Sequence, residues 1–402
     1  MSLPSKREYL AKIHGRYQRA GREHKGRILD EFCENCGYHR KAALRLLNRP
    51  LLQPPCRRPG PKPTYEPKLV LPPLKAIWLA SDQLCSKLLK AALPEWLDFY
   101  EQTHGALPAP LRQQLLTISP AQIDRLLRPV RVRYPRRGLS TTKPGTLLRH
   151  RIPTRGGPPD TTTPGHIEAD TVAHCGDTTA GNFVYSLTFT DLYSGWTELR
   201  AIWNKSSSAI LDHLRDIEKQ APFALKSFHA DNGSEFLNWP LYQYLTGRPW
   251  RQVPFTRSRA YRKNDNAHVE QKNWTHVRQL FGHDRFEHPQ LVGLMNDLYV
   301  QEWSQFQNHF RPTLKLRCRD KRGSKTIRRY EKPQTPYARL LASPNISSSI
   351  KTRLRAEHAQ LNPFTLKKSI EQKLRLFFTT QSNLQPEATL SCLTPAQGNI
   401  YP

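Results

Sequence analysis

The chain is 402 residues long, with 62 lysines and arginines against 33 aspartates and glutamates, a formal net charge of +29. That length predicts several domains with real cores, and 37% hydrophobic residues exclude a wholly disordered chain. No apolar run is long enough to span a bilayer, the N-terminal stretch lacks the apolar core of a secretory signal, and seven scattered cysteines fit free thiols in a reducing compartment better than a disulfide framework.

The charge is unevenly placed. Residues 1–160 carry 30 basic and 12 acidic side chains, residues 161–310 carry 14 and 16, and residues 311–402 carry 18 and 5. A near-neutral centre between two basic flanks predicts flanks that hold phosphate and a centre whose acids can serve a metal-dependent site.

Residues 1–50 read as a helix-turn-helix DNA-binding domain. Ile28, Leu29, Phe32 and Cys33 recur at helical spacing, Gly37 breaks the pattern, and Ala43, Leu46 and Leu47 resume it. Arg40, Lys41 and Arg45 then fall on the outer face, as DNA-binding candidates. Cys33-x2-Cys36 with His14, His24 and His39 brings zinc to mind, but the histidines are too far apart, and the helical pattern sets these cysteines on a core face. Residues 51–67 form a stiff, proline-rich basic linker.

Residues 68–135 predict a second helical DNA-binding domain. Ser119 is a good N-cap and Pro120 a good first helical residue. Ile123, Leu126 and Leu127 face a core, while Gln122, Arg125 and Arg128 face outward toward bases or phosphates. Residues 136–164 read as a linker.

From 165 the pattern changes to that of an α/β domain, predicted over 165–310. HIEADTVAH, VYSLTFTD and WTELRAIW predict three strands. A helix follows at about 206–220, then a strand LKSFHAD, a helix from about Glu235, a strand near 250–255, and helices through 266–280 and 289–310. This order predicts a mixed sheet with helices packed around it. Residues 311–378 read as a basic, partly helical DNA- or partner-binding region, and 379–402 as a disordered tail.

Three acids stand out by position. Asp170 lies within the first strand, Asp231 ends a later strand where Asn232-Gly233-Ser234 forces a turn, and Glu270 sits on the helix after a basic loop. Strand, strand end and helix can converge their carboxylates on one sheet edge, where a hard cation such as magnesium takes oxygen ligands. Arg257, Arg259, Arg262 and Lys263, just before Glu270, are candidates to grip a DNA backbone. Glu168 shares the Asp170 face by alternation. His229 faces the same side, as an outer partner or a core residue. Glu235 reads as a first-turn helix acid, and His174-Cys175 as a sheet-edge loop.

This constellation, with PGHIEADTVAHCG, TDLYSGWTE, HADNGSEF, FTRSRAYRKNDNAHVEQKN and KPQTPYARLLA around it, resembles the DDE transposase and retroviral integrase superfamily, and in wording one branch of bacterial insertion-sequence transposases. The upstream LLTISPAQIDRLLRPVR fits the same branch, and the likeness spans roughly residues 70–345. It implies an RNase H-like catalytic core and a metal triad of Asp170, Asp231 and Glu270. It further implies two magnesium ions, with manganese able to substitute. The implied reaction frees a 3′-hydroxyl at transposon ends and transfers it into target DNA. The implied partners are transposon-end and target DNA and, on paired ends, at least one further copy of the chain. The setting implied is the bacterial cytoplasm, at the nucleoid. The chain departs from the wider family in lacking the usual tyrosine, arginine and lysine around the glutamate; Arg278, eight residues on, is a near substitute without an assigned role. Two alternatives stand beside a transposase: a catalytically inactive, sequence-specific DNA-binding protein, and a nuclease that cuts without joining.

Overall fold

The computed structural model describes residues 1–50, 65–131, 152–155, 159–249, 251–259, 266–322 and 325–384. Most of both linkers, Arg262, Lys263 and the tail beyond 384 lie outside them. The chain divides into two compact units, Met1–Tyr65 and Glu66 onward.

The first unit holds three helices, α1 (Leu3–Arg19), α2 (Arg22–Cys36) and α3 (Arg40–Asn48). Ser2 caps α1, and Gly37, at φ 65°, ends α2 in the left-handed conformation. Ile13, Tyr17, Ile28, Leu29, Phe32, Cys36, Ala43 and Leu47 form its core, with Cys33 packed against it. Both cysteines are thus part of the apolar interior. Among the candidate DNA contacts, Lys41 and Arg45 are exposed, and Arg40 is ion-paired with Asp30.

The second unit opens with four helices, α4 (Pro67–Ala80), α5 (Ser86–His104), α6 (Ala109–Thr117) and α7 (Pro120–Arg131). Ser119 Oγ accepts the backbone N–H of Gln122, opening α7 as its cap chemistry predicts. Ile123, Leu126 and Leu127 are buried, Arg125 and Arg128 exposed, and Gln122 half-buried. These helices do not stand apart as a separate domain. Trp96 is fully buried and its indole donates to the Phe310 carbonyl (3.2 Å), so the block packs into the same unit as the sheet.

Strands β1 (His166–Ala173), β2 (Val184–Asp191) and β3 (Thr197–Trp203) follow, then helix α8 (Ser207–Gln220), capped by Ser206. Next come β4 (Ser227–Ala230), α9 (Trp239–Thr246) and β5 (Phe255–Arg257). The sheet order is β3-β2-β1-β4-β5. β1–β2 and β2–β3 pair antiparallel, while β1–β4 and β4–β5 pair parallel. The mixed sheet is the expected one. Phe189, Phe228, Phe236, Phe255, Ile210 and Leu214 lie in its core. Gly165 sets the approach of β1 to β4: its φ is +105°, and an added Cβ would sit 2.2 Å from the Ala224 carbonyl oxygen, which no side chain tolerates.

Helix α10 (Ala267–Lys272) runs on through a π-helical turn (Asn273–Arg278) into α11 (Gln279–Phe281). Helix α12 (Gln290–Leu298) continues through π-helical turns at Tyr299–Trp303 and Phe306–Phe310. The basic C-terminal region then departs from expectation. It begins with an antiparallel hairpin, β6 (Leu316–Arg322) and β7 (Lys325–Tyr330). Helices α13 (Pro336–Ala342), α14 (Ser348–Ala359) and α15 (Pro363–Leu384) follow. Leu340 and Leu354 enter the sheet core, and Phe377 packs edge-on against Phe281 and Phe286, with ring centroids 4.8 and 4.9 Å away. This region packs onto the core of the second unit, and residues 379–384 are helical, not tail. No helix among the described residues is long and apolar enough to cross a membrane.

Candidate functional site

Asp170 and Asp231 meet because their strands are neighbours. Ala169 on β1 pairs with Ala230 on β4 in parallel register, so the next residue on each strand is an aspartate, on chains about 4.8 Å apart. Asp231 stands where β4 ends. Its Oδ1 accepts the Gly233 N–H (2.9 Å), the turn that Asn-Gly promotes. Asn232 donates from Nδ2 to the Ser258 carbonyl (2.9 Å) and fixes the turn against the segment after β5.

The two carboxylates are half-buried and electrostatically strained. Burial, then the charge of Asp231 and more weakly that of Glu270, pushes the Asp170 pKa well above the usual carboxylate range. Burial, then the charge of Glu235, raises Asp231 to about 6, with Lys205 acting in the opposite sense. Glu270 is exposed on α10, close enough for its charge to act on Asp170. Among the described residues no three His, Cys, Asp or Glu side chains are gathered tightly enough to hold a metal ion by themselves. Like charges at close range oppose such a gathering until a cation joins them. The donor set, carboxylate oxygens alone, suits a hard divalent ion, which takes one or two carboxylates and completes its shell with water and substrate phosphate. On that chemistry Asp170, Asp231 and Glu270 fit magnesium.

Three neighbours position these acids. Asn273, in the π-helical turn three residues past Glu270, donates from Nδ2 to Asp170 Oδ2 (2.7 Å), while its own Oδ1 is buried without a partner. It ties the Glu270 helix directly to the Asp170 strand. Sequence reasoning passed over it, because an asparagine in a helical run carries no special spacing. Glu168 is fully buried and takes Arg155 in a 2.9 Å ion pair. Its Oε2 also accepts the Val269 N–H (3.4 Å). It therefore anchors β1 to the start of α10. Glu235 is not a helix first-turn acid, because Asn238 caps α9 three residues later. It is buried, with Oε1 accepting from Thr171 Oγ1 (2.9 Å) and Lys205 Nζ (2.8 Å) and Oε2 left without a partner. Gly233 lies against it: an added Cβ would meet Oε2 at 2.5 Å.

The remaining candidates sort by their partners. His229 bonds through Nδ1 with Thr256 Oγ1 (2.8 Å), inside the sheet. His174 is buried, bonds with Ser186 Oγ (2.8 Å) and stacks on Phe286. Arg278 donates to the Ala173 carbonyl (2.9 Å) and holds the end of β1. Arg257 does not offer a free guanidinium: Nε donates to the Ile152 carbonyl (2.8 Å) and Nη1 to Asn232 (3.1 Å). Arg259 is exposed.

Residues 160–262 match the family model described as the integrase core domain. An uncharacterized protein of Sinorhizobium fredii (strain NBRC 101917 / NGR234), y4rM, is 38% identical over 344 residues, 84% of this chain and 96% of that protein. Solved structures are more distant. A chain of the simian T-cell lymphotropic virus intasome in complex with PP2A regulatory subunit B56 gamma is 14% identical, covering 54% of this chain and 69% of that one, with a TM-score of 0.30. The HTLV-2 integrase catalytic core domain in complex with magnesium is 13% identical, covering 38% and 92%, with a TM-score of 0.28.

Proposed function

The chain belongs to the DDE integrase and transposase superfamily with its RNase H-like core, and on that premise we propose that it is a DNA transposase that cleaves at transposon ends and joins the freed 3′-hydroxyl to target DNA. The observation that carries this reading is the juxtaposition of Asp170 and Asp231 on neighbouring parallel strands, with the charge of Glu270 acting on Asp170.

Asp170, Asp231 and Glu270 would hold magnesium, whose chemistry is to activate the attacking oxygen and stabilise the leaving one. The protein groups supply position and charge. Asn273 orients the Asp170 carboxylate from the Glu270 helix. Glu168 keeps strand and helix in register through Arg155 and the Val269 N–H. Lys205 offsets the charge of Glu235, leaving the cluster net negative and avid for cations. Catalysis of this kind needs positioning and electrostatics, not a covalent protein nucleophile.

Recognition of ends is assigned to the basic flanks: Lys41 and Arg45 on α3, and Arg125 and Arg128 on α7, all exposed. Arg40 and Gln122 belong to the same faces. Arg259, with Arg262 and Lys263 beyond the described residues, would follow the backbone near the scissile bond. Pairing of two ends calls for at least a dimer.

One assay tests the reading. The full chain is incubated with magnesium, a plasmid target and labelled duplexes carrying the ends of the DNA segment that encodes it, with Asp170→Asn as control. Joined product from wild type alone supports a transposase. Cleavage without joining supports a nuclease, and retarded DNA without chemistry supports a binding protein.

A further inference from the structure

A second polar site lies apart from the carboxylates. A cavity of ≈410 Å³ opens between α10, the β2–β3 turn and the segment leading into β6. Neither Asp170, Asp231 nor Glu270 lines it, whereas Lys272, two residues along from Glu270, does. Arg311, Lys315 and Arg339 complete a basic wall.

Lys315 Nζ donates to the Thr161 and Tyr193 carbonyls (2.8 and 2.9 Å), but two other donors on this wall lack acceptors among the described residues. Arg339 is 5% exposed; its Nη1 donates to the Ser194 carbonyl (3.1 Å) and Thr313 Oγ1 (2.6 Å), and its Nη2 to the Thr313 carbonyl (2.7 Å). Its Nε has no hydrogen-bond partner. Gln307, 3% exposed and on the same wall, has an amide Nε2 that is likewise unpartnered. Lys272 is 8% exposed and makes no ion pair with a carboxylate among the described residues. Nearby acids are committed to other partners or, for Glu331, solvent-exposed, though its charge acts on Arg339 and Lys315. Asp82 pairs with Arg311 (3.1 Å). Asp191 accepts from the Gly165 N–H, the Ser194 N–H and Ser194 Oγ. Lys272 Nζ and Arg339 Nη1 approach one point above Gly195: a Cβ added there would lie 3.8 Å from the first and 4.0 Å from the second, with Thr313 Oγ1 at 3.7 Å. Buried donors without acceptors are costly, and two converging cations with an amide match an anion rich in acceptor oxygens.

We propose that this cavity binds a phosphate group, held by Lys272 Nζ, Arg339 Nε–H and the Gln307 amide, at a site separate from the carboxylate cluster. The group is either a phosphodiester of a DNA backbone or a free phosphate. Because Lys272 shares α10 with Glu270, occupancy would also brace the helix that carries the glutamate.

The test uses the full chain in EDTA, so that it does not depend on the metal chemistry. Inorganic phosphate is titrated calorimetrically, with chloride at matched ionic strength as the control, into wild type, Lys272→Met and Gln307→Leu. Wild type should bind phosphate and melt at a higher temperature with it. Each variant should bind about tenfold more weakly or worse. In phosphate-free buffer Lys272→Met should melt at or above the wild-type temperature, since it removes a buried amine that makes no ion pair among the described residues. Titrating a short duplex with and without phosphate then separates the sources. Competition that disappears in the variants assigns the site to the DNA backbone; phosphate binding without competition assigns it to free phosphate. Equal phosphate responses in wild type and both variants, or none in wild type, would overturn the proposal.

Discussion

Replacing Asp231 with asparagine should stabilise the metal-free protein while abolishing the proposed strand-transfer activity. The carboxylate has its pKa raised from 3.8 to about 6 by burial and by Glu235. At ~1.4 kcal/mol per unit, a shift of roughly two units costs the folded state on the order of 3 kcal/mol once the group is ionised. The sign follows from the folded value exceeding the unfolded one. The contribution to stability is full below about pH 4 and is lost as pH rises through about 6. Asparagine is isosteric, keeps an oxygen for the Gly233 N–H, and carries no charge. Thermal melts in EDTA from pH 4 to 8 should therefore show wild type falling behind Asp231→Asn by a few degrees above pH 6. Magnesium should raise the wild-type melting temperature and leave the variant unmoved, because only wild type retains both strand carboxylates. If Asp231→Asn melts lower than wild type at pH 7.5 in EDTA, or if the two show the same pH dependence, the electrostatic reading of this site is wrong.

Other outcomes follow from individual contacts. Asn273→Ala removes the donor to Asp170 and should cost 10–100-fold in activity, an order-of-magnitude estimate for an outer partner of a metal ligand, with a higher magnesium concentration needed for half-maximal rate. Glu168→Ala removes the fully buried carboxylate that accepts from Arg155 and from the Val269 N–H and should destabilise the second unit by roughly 1–3 kcal/mol in denaturant melts. Gly165→Ala, placing a Cβ 2.2 Å from a carbonyl oxygen, should abolish soluble expression or lower the melting temperature sharply. Arg125→Ala with Arg128→Ala should reduce the slope of log affinity against log salt by about two on duplex DNA, if each contacts one phosphate.

The parts of the fold legible from the residues were those in which local pattern and tertiary role agree. Alternation in HIEADTVAH and VYSLTFTD became β1 and β2, and Ser119-Pro120 opened α7. Asp170 and Asp231 could be picked out because one lies within the first predicted strand and the other ends a strand at a turn that Asn232-Gly233 forces. The hairpin at 316–330 escaped notice because it packs no apolar face: Leu316, Ile327 and Tyr330 are all exposed, so the alternation that marks a half-buried strand is missing. Glu235 was misplaced because the helix begins at Trp239, capped by Asn238, and not near residue 235. Arg257 read as a phosphate contact from its charge alone. Its bonds to Ile152 and Asn232 join segments far apart in the chain, and no local pattern encodes those. The roles of Asn273 and Glu168 are likewise set by tertiary contacts across about a hundred residues.

The most direct test is the single-turnover joining rate in magnesium for wild type, Asp170→Asn, Asp231→Asn and Glu270→Gln, together with the double variant Asp170→Asn/Glu270→Gln. If the three carboxylates serve one metal site, each single change should lower joining by about a thousandfold or more while DNA binding persists, and the double variant should be no slower than the worse single. Near-wild-type joining by Glu270→Gln, or losses that simply multiply in the double variant, would contradict a shared site.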